Sequence, residues 1–269
     1  MFFAVRLSPC KWIQAGAVSL SQRLRPVNMR HASWKKPGRT LPSSSRLCYL
    51  KTVSAMMNLD LMIFDFDGTL VYSGEDIAAS VNHVLDAFGL PLRDSKEIMQ
   101  FIGDGVVRLI ERSLGSAHVQ LKDDALALFS AYYEEHMLDS TGLYAGMDRV
   151  LDHFRGKEKV IVTNKRRHFT VKMADALGIT DYFTEIIGRD SSRYTKPDER
   201  LLLSILQQRN LDPRRAVVIG DGANDILMAK RANVWSCAYL KGLSPAEDLL
   251  RLKPDLTYHD PLDLIGLFE

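Results

Sequence analysis

The short apolar run at residues 61–64, which stops at two aspartates and a glycine, most constrains what this chain can fold into. Residues 59–70 read LDLMIFDFDGTL. An apolar run of this length that ends in Asp and Gly predicts a buried strand leading into a loop. Residues 159–163 (KVIVT) and 216–221 (AVVIGD) repeat the pattern, and residues 235–240 indicate a further strand. We therefore expect a core built around several short buried strands.

Helical periodicity separates the later strands. It appears at residues 167–177, 198–209 and 223–232. Strands that alternate with helices predict an α/β fold with a mostly parallel, Rossmann-like sheet.

The segment between the first and second predicted strands has a different pattern. It contains no convincing strand, and amphipathic helical periodicity lies near residues 75–88, 105–114 and 121–138. We therefore expect an inserted, small all-helical cap domain at residues 73–142. The catalytic core would then consist of residues 57–72 and 143–269.

The first 56 residues differ in composition from the rest of the chain. They contain ten Lys or Arg and no Asp or Glu. Such a stretch buries too little apolar surface to offset its ordering entropy, so we expect a basic disordered tail at residues 1–56. Two interpretations stay open. One is an organellar transit peptide, which would direct the protein to a mitochondrion or plastid; the other is a non-native extension of an enzyme that begins near Met56.

The chain from residue 57 onward is acidic. It carries 25 basic residues against 33 acidic ones, a net charge of −8. This balance argues against non-specific nucleic-acid binding, which depends on neutralising phosphates.

No apolar run reaches the ~18–20 residues that a membrane-spanning helix needs. Cys237 is the one cysteine in this part of the sequence, so we expect neither a disulfide framework nor a zinc site, and a reducing, cytoplasmic location.

Chemically useful side chains follow three of the predicted strands. Asp65 and Asp67 come at the end of the first strand, Thr163 ends the second, and Asp221 ends a later one. Functional groups in an open α/β sheet gather at the carboxyl ends of its strands, so we expect these residues to form one site. Two carboxylates placed this way can divide the work, one attacking phosphorus and the other moving protons.

Four segments occur in an order that resembles the haloacid dehalogenase superfamily, and in particular its phosphatases. The segments are residues 65–70 (DFDGTL), 162–165 (VTNK), 196–197 (KP) and 220–225 (GDGAND). The resemblance covers about residues 59–260, and the inserted helical block matches the small-cap subclass of the superfamily.

The resemblance implies a role for each motif residue. Asp65 would be the nucleophile that forms an aspartyl-phosphate, and Asp67 would protonate the leaving oxygen and then activate the hydrolytic water. Thr163 and the Asn164 amide would hold the phosphoryl oxygens. Lys196 would offset the negative charge of phosphate and nucleophile.

The resemblance also implies a Mg²⁺ ion. It would lie between Asp65, the main-chain carbonyl of Asp67 and Asp221, with Asp225 nearby or linked through water. Phosphoryl transfer depends on positioning and charge neutralisation, so a dianionic substrate facing several carboxylates requires cations. Mg²⁺ prefers hard oxygen ligands of this kind.

The expected cap carries the one hint about the substrate. Residues 101–112 read FIGDGVVRLIER, and this segment is similar to the cap of phosphoglycolate phosphatases. Gly103 and Gly105 could present main-chain N–H groups to a small carboxylate, and Arg108 could assist. A plain helix start is the alternative for the glycines, and a solvated face is the alternative for Arg108 or for Arg112 on the same helix face.

We therefore expect a Mg²⁺-dependent phosphomonoester hydrolase that acts on 2-phosphoglycolate or another small phosphorylated acid. A phosphatase of a sugar phosphate, a nucleotide or pyrophosphate is an alternative, as is a sugar phosphomutase. A non-catalytic phosphate-binding protein is a further alternative from a different class.

Overall fold

The computed structural model describes residues 59–268. The expected basic tail at residues 1–56 lies outside this range. Six strands form a single sheet in which every neighbouring pair is parallel, in the order β3-β2-β1-β4-β5-β6. The strands are β1 (Leu61–Phe64), β2 (Glu158–Val162), β3 (Glu185–Ile187), β4 (Ala216–Gly220), β5 (Trp235–Tyr239) and β6 (Leu256–Tyr258).

Helices cover both faces of this sheet. Residues 59–268 contain three short 3₁₀ helices, Ser116–Leu121, Thr180–Tyr182 and Pro213–Arg215. They also contain the α-helices α1 (Gly74–Ala87), α2 (Ser95–Met99), α3 (Val106–Leu114), α4 (Lys122–His136), α5 (Met147–His153), α6 (Arg167–Ala176), α7 (Glu199–Gln208), α8 (Ala223–Arg231), α9 (Ala246–Arg251) and α10 (Asp263–Phe268). No helix in this range is both long enough and apolar enough to cross a membrane.

The apolar runs form central strands because both of their faces are buried. Every residue of β1 is buried. Its side chains alternate, so that Met62 and Phe64 belong to one hydrophobic cluster while Leu61 and Ile63 belong to another. A strand covered on both faces needs a continuous apolar sequence rather than an alternating one, which is what residues 61–64 provide.

The predicted fold class is confirmed: a mostly parallel, Rossmann-like sheet with inserted helices. Strands β1, β2, β4 and β5 lie within one residue of their predicted bounds, and helices α1, α3, α4, α6, α7 and α8 within two. The sequence pattern does not predict β3 and β6, which have three residues each and are too short to show a period. It also does not predict α2, α5, α9 and α10, none of which exceeds seven residues.

Helices α1–α4 fit the expected helical cap, and two neighbouring segments connect them to the sheet. Val71 and Leu143 form an isolated antiparallel bridge, and the Tyr72 N–H donates to the Gly142 carbonyl at 3.0 Å. The chain therefore leaves and re-enters the sheet layer at one place. The domain boundaries at residues 72–73 and 142–143 stay a prediction.

Candidate active site

The ends of three central strands meet at one edge of the sheet. Phe64 of β1 is in register with Ile161 of β2 and Ile219 of β4. The Asp65 N–H continues this ladder by donating to the Ile219 carbonyl at 2.9 Å. The residues that directly follow the three strands, including Thr163 and Asp221, therefore emerge close together, as the sequence predicts.

Three buried carboxylates form a cluster at this edge. Asp65, Asp221 and Asp225 each place an oxygen within 4.8 Å of the others. Burial, together with the charge of Asp225, raises the pKa of Asp65 to about 8. Burial is also the main cause that raises the pKa of Asp221 to about 6, and Asp225 again adds to it. Burial disfavours the charged form of a carboxyl group, and a neighbouring negative charge adds to that effect. An all-oxygen cluster in this state fits a divalent metal ion.

Lys196 lies between two of these carboxylates. Its Nζ is 2.7 Å from Asp65 Oδ1 and 2.7 Å from Asp225 Oδ1, and its side chain is 2% exposed. Burial alone would lower the pKa of Lys196, but Asp225 and Asp65 outweigh this effect and raise it above its usual value. The ammonium therefore stays charged and offsets part of the negative charge of the cluster.

The loop after β1 fixes the orientation of Asp221. Thr69 Oγ donates to Asp221 Oδ1 at 2.7 Å, and the Leu243 N–H donates to Asp221 Oδ2 at 2.7 Å. Gly68 has φ +82°, and a Cβ at this position would lie 2.2 Å from Asp221 Oδ2. Glycine is therefore required twice, by the backbone conformation and by the space that Asp221 occupies.

The carboxylate of Asp67 belongs to a separate group of side chains. Its Oδ1 accepts a hydrogen bond from the Ser73 hydroxyl at 2.6 Å. The Lys165 ammonium lies 3.0 Å from Oδ1 and 3.2 Å from Oδ2, and it also donates to the Tyr133 hydroxyl at 2.7 Å. Asp65 and Asp67 therefore have different partners although they are two residues apart. Lys165, Tyr133 and Ser73 are site residues that sequence reasoning missed; the position of Lys165 in the VTNK motif was the available signal.

Thr163 and Asn164 follow β2 and are both buried. The Thr163 hydroxyl oxygen accepts a hydrogen bond from the Lys165 N–H at 3.2 Å, which leaves the O–H free to donate. The Asn164 side-chain amide donates to the carbonyls of Gly103, at 2.8 Å, and Lys196, at 3.2 Å. This amide therefore ties the loop before α3 to the sheet edge, and a contact between Asn164 and a phosphate would involve its main chain.

A cleft lies between the sheet edge and the inserted helices, with about 610 Å³ of empty space that is partly open to solvent. Its polar wall is formed by Asp65, Asp67, Thr163, Asn164 and Lys165. Its apolar wall includes Ile77, Ile102, Val106, Leu109, Phe129, Tyr133 and Phe169. The cleft therefore offers one polar wall and one apolar wall to a small molecule.

The residues suggested for substrate recognition differ in their positions. Gly103 and Gly105 both line the cleft. Arg108 does not, because its guanidinium pairs with Glu111 at 2.8 Å and its side chain is 66% exposed. Arg166, directly before α6, lines the cleft instead, and sequence reasoning did not single it out.

Comparison with known proteins gives a consistent result. A family model described as haloacid dehalogenase-like hydrolase matches residues 62–239. Phosphoglycolate phosphatase 1 of Pseudomonas aeruginosa is 34% identical over 214 residues, which cover 76% of this chain and 78% of that protein. Phosphoglycolate phosphatase of Chromobacterium violaceum is 31% identical over 221 residues, which cover 80% of this chain and 98% of that protein.

Solved structures show the same relationship. A structure described as a predicted phosphoglycolate phosphatase from Haemophilus somnus has a TM-score of 0.75 and 27% identity, and the match covers 80% of this chain and all of that one. A haloacid dehalogenase-like family protein from Streptococcus pneumoniae has a TM-score of 0.72 and 27% identity, with the same coverage. The order of the four motifs, the strand topology and these matches agree. The chain therefore belongs to the haloacid dehalogenase-like hydrolase family, and within it is similar to phosphoglycolate phosphatases.

Proposed function

We propose that this protein is a Mg²⁺-dependent phosphomonoester hydrolase that works through an aspartyl-phosphate on Asp65. Its substrate is 2-phosphoglycolate or another small phosphorylated acid. One observation carries the proposal: Asp65 lines the cleft, pairs with Lys196 and belongs to the buried carboxylate cluster. A carboxylate held in this way is a nucleophile placed beside the charges that phosphoryl transfer requires.

The hydrogen bonds of Asp65 leave one of its oxygens available for attack. Oδ1 accepts from the Phe66 N–H at 2.7 Å and from Lys196 at 2.7 Å. Within residues 59–268, no such hydrogen bond occupies Oδ2. In the first step an Asp65 carboxylate oxygen bonds to phosphorus, the bond from phosphorus to the leaving oxygen breaks, and Asp67 gives that oxygen a proton.

The second step regenerates the enzyme. Asp67, now deprotonated, takes a proton from a water molecule whose oxygen attacks phosphorus. The bond between phosphorus and the Asp65 oxygen breaks, which releases inorganic phosphate and restores the Asp65 carboxylate. One carboxylate thus carries the phosphoryl group, and the other carries the proton in both directions.

The charge balance of the site supports a divalent cation, and its oxygen-only ligand set favours Mg²⁺. Four carboxylates, those of Asp65, Asp67, Asp221 and Asp225, face two lysines, and the substrate phosphate adds further negative charge. The side chains of Asp65, Asp221 and Asp225, with the main-chain carbonyl of Asp67, would hold the ion. When bound, Mg²⁺ would neutralise charge on the phosphoryl oxygens.

Two observations support a small phosphorylated acid as the substrate. The curated relatives described above are named phosphoglycolate phosphatases. Arg166 lines the cleft, and within residues 59–268 its guanidinium makes no ion pair with an acidic side chain. A guanidinium binds a carboxylate well because its paired N–H groups match the two oxygens.

Phosphate release from a panel of phosphate esters, with and without EDTA, tests this function. We expect the highest kcat/KM on 2-phosphoglycolate, loss of activity with EDTA and recovery with added Mg²⁺. Asp65→Asn is the matched control, because it keeps the size of the side chain and removes the nucleophile. Preference for a sugar phosphate, a nucleotide or pyrophosphate would contradict the proposed substrate. Activity that survives EDTA would contradict the proposed dependence on a metal ion.

Cys237 agrees with the proposed cytoplasmic location. Its thiol is free and buried in the core, and burial raises its pKa above the usual value. It is the one cysteine among residues 59–268, so the fold of this range needs no oxidising compartment to form.

A further inference from the structure

Lys165 has contacts that the proposed reaction does not yet use. Its side chain is 7% exposed, and its ammonium contacts three oxygens. Two belong to the Asp67 carboxylate, and the third is the Tyr133 hydroxyl of α4. A buried ammonium with three oxygen partners has all of its donors used, so its position is well defined.

The two buried lysines of the site serve different carboxylates. Lys196 contacts Asp65 and Asp225, which belong to the nucleophile and metal cluster. Lys165 contacts Asp67, which lies outside that cluster. The carboxylate that moves protons therefore has a cation of its own.

The contacts of Asp67 single out one of its oxygens. Oδ1 accepts from the Ser73 hydroxyl at 2.6 Å and from Lys165 at 3.0 Å, while Oδ2 accepts from Lys165 at 3.2 Å. A carboxylate oxygen has two lone-pair positions. Oδ1 is therefore fully used and Oδ2 keeps one free position, on a residue that lines the cleft. Oδ2 is the oxygen that can exchange a proton with the leaving group and with water.

Tyr133 anchors the lysine from the side of the inserted helices. Its hydroxyl accepts from Lys165 at 2.7 Å and donates to the Met173 sulfur at 3.7 Å. Its ring stacks on Phe129 and meets Phe169 edge to face. The Lys165 ammonium lies 4.5 Å from the centre of the same ring. A side chain packed on several sides is a rigid partner, so the position of Lys165 depends on the seating of α4.

We propose that Lys165 is a positioning residue that holds the Asp67 carboxylate with Oδ2 toward the reacting oxygen, and that Tyr133 fixes the lysine in place. The inference rests on the proposed function, because it assigns Lys165 to the proton-transfer step of that reaction. The competing role is direct binding of the substrate phosphate, since Lys165 also lines the cleft.

A double-mutant cycle separates these two roles. Lys165→Met, Asp67→Asn and the double variant are assayed for kcat and KM on the phosphate ester that the wild type hydrolyses fastest. General acid–base catalysis contributes about 10²–10⁴-fold, so Lys165→Met is expected to lower kcat roughly 10²-fold with little change in KM. In the Asp67→Asn background, the same substitution is expected to lower kcat by less than about threefold, because the carboxylate that Lys165 orients is already absent.

Two further variants control for folding. Tyr133→Phe keeps the packed ring and removes only the hydroxyl that accepts from Lys165, so kcat should fall by a smaller factor and again only when Asp67 is present. Lys172→Met breaks an ion pair with Glu134 between α6 and α4 that does not touch Asp67, and kcat should be unchanged. If Lys165→Met does not fold, as judged by its thermal unfolding midpoint, the cycle is run with Tyr133→Phe.

Each result supports or overturns the inference. Near-complete loss of the lysine effect in the Asp67→Asn background supports it. Two results overturn it and leave the proposed function in place. In the first, the double variant loses kcat by the product of the two single factors; in the second, Lys165→Met acts mainly by raising KM. A wild-type enzyme that hydrolyses no phosphate ester overturns the proposed function and this inference together.

Discussion

The Thr69 hydroxyl donates a 2.7 Å hydrogen bond to Asp221 Oδ1, although 152 positions separate the two residues in the sequence. The bond joins the loop after β1 to the loop after β4. It also uses one oxygen of a carboxylate that belongs to the cluster of three. The first and fourth motifs are therefore two sides of one site, and the small residues beside the aspartates hold the aspartates in place.

Thr69→Val should weaken the binding of Mg²⁺. The substitution keeps the shape of the side chain but removes the hydrogen bond to Asp221, and loss of such an outer partner typically costs about 10–100-fold in metal affinity. Titration of activity with Mg²⁺ measures the effect. Thr69→Ser retains the hydroxyl and should stay close to wild type; equal affinities for the Val and Ser variants would contradict the role assigned to the bond.

Gly68→Ala should destabilise the protein and abolish metal-dependent activity. The added Cβ would lie 2.2 Å from Asp221 Oδ2, and the backbone φ of +82° is unfavourable for alanine. Strain of this kind costs about 1–3 kcal/mol before the clash is counted. The matched control is Gly89→Ala, where φ is +65° and nothing lies within 4 Å of the added Cβ. Urea unfolding should show a larger decrease in the free energy of unfolding for Gly68→Ala than for Gly89→Ala. Only Gly89→Ala should keep its activity.

Mg²⁺ should stabilise the folded enzyme through the carboxylate cluster. An ion that binds only the folded state adds about 2.7 kcal/mol at 100 times its Kd, so the thermal unfolding midpoint should rise as Mg²⁺ is added. Asp221→Asn removes one charge from the cluster and should abolish most of the rise. A wild-type midpoint that does not respond to Mg²⁺ would contradict the assignment of Asp65, Asp221 and Asp225 as a metal site.

Arg166→Gln should raise the KM for 2-phosphoglycolate and leave esters without a carboxylate unaffected. Charge-assisted hydrogen bonds contribute about 1.5–3 kcal/mol, which corresponds to roughly 10–150-fold in binding. Arg108→Gln is the control, because Arg108 does not line the cleft and pairs with Glu111. Steady-state kinetics on 2-phosphoglycolate and ethyl phosphate measure both variants. Equal changes in KM on the two esters would contradict binding of the substrate carboxylate by Arg166, and would indicate that it binds the phosphate or stabilises the fold.

The sequence predicts the part of the site that lies within single motifs. Asp65 and Asp221 each end an apolar strand, and such strands are recognisable because a sheet buried on both faces requires a continuous apolar run. Their meeting at one edge follows from the parallel arrangement. The two aspartates and the strands before them lie within short stretches of chain, so the sequence alone identifies them.

The parts that the sequence does not predict depend on distant or competing partners. Lys165 and Asp67 are 98 positions apart, and no local period relates Tyr133 to either of them. Arg108 illustrates competition: helical spacing identifies the face on which it lies, but Glu111, one turn later on that face, pairs with it and keeps it at the surface.

The most direct test of the central claim is chemical identification of the phosphorylated residue. The enzyme is mixed with substrate, quenched in acid during turnover, digested and analysed by mass spectrometry. The account predicts a phosphoryl group on the peptide that contains Asp65, and no phosphorylated peptide from Asp65→Asn. A phosphoryl group on any other residue, or an Asp65→Asn variant with activity near that of the wild type, would contradict it.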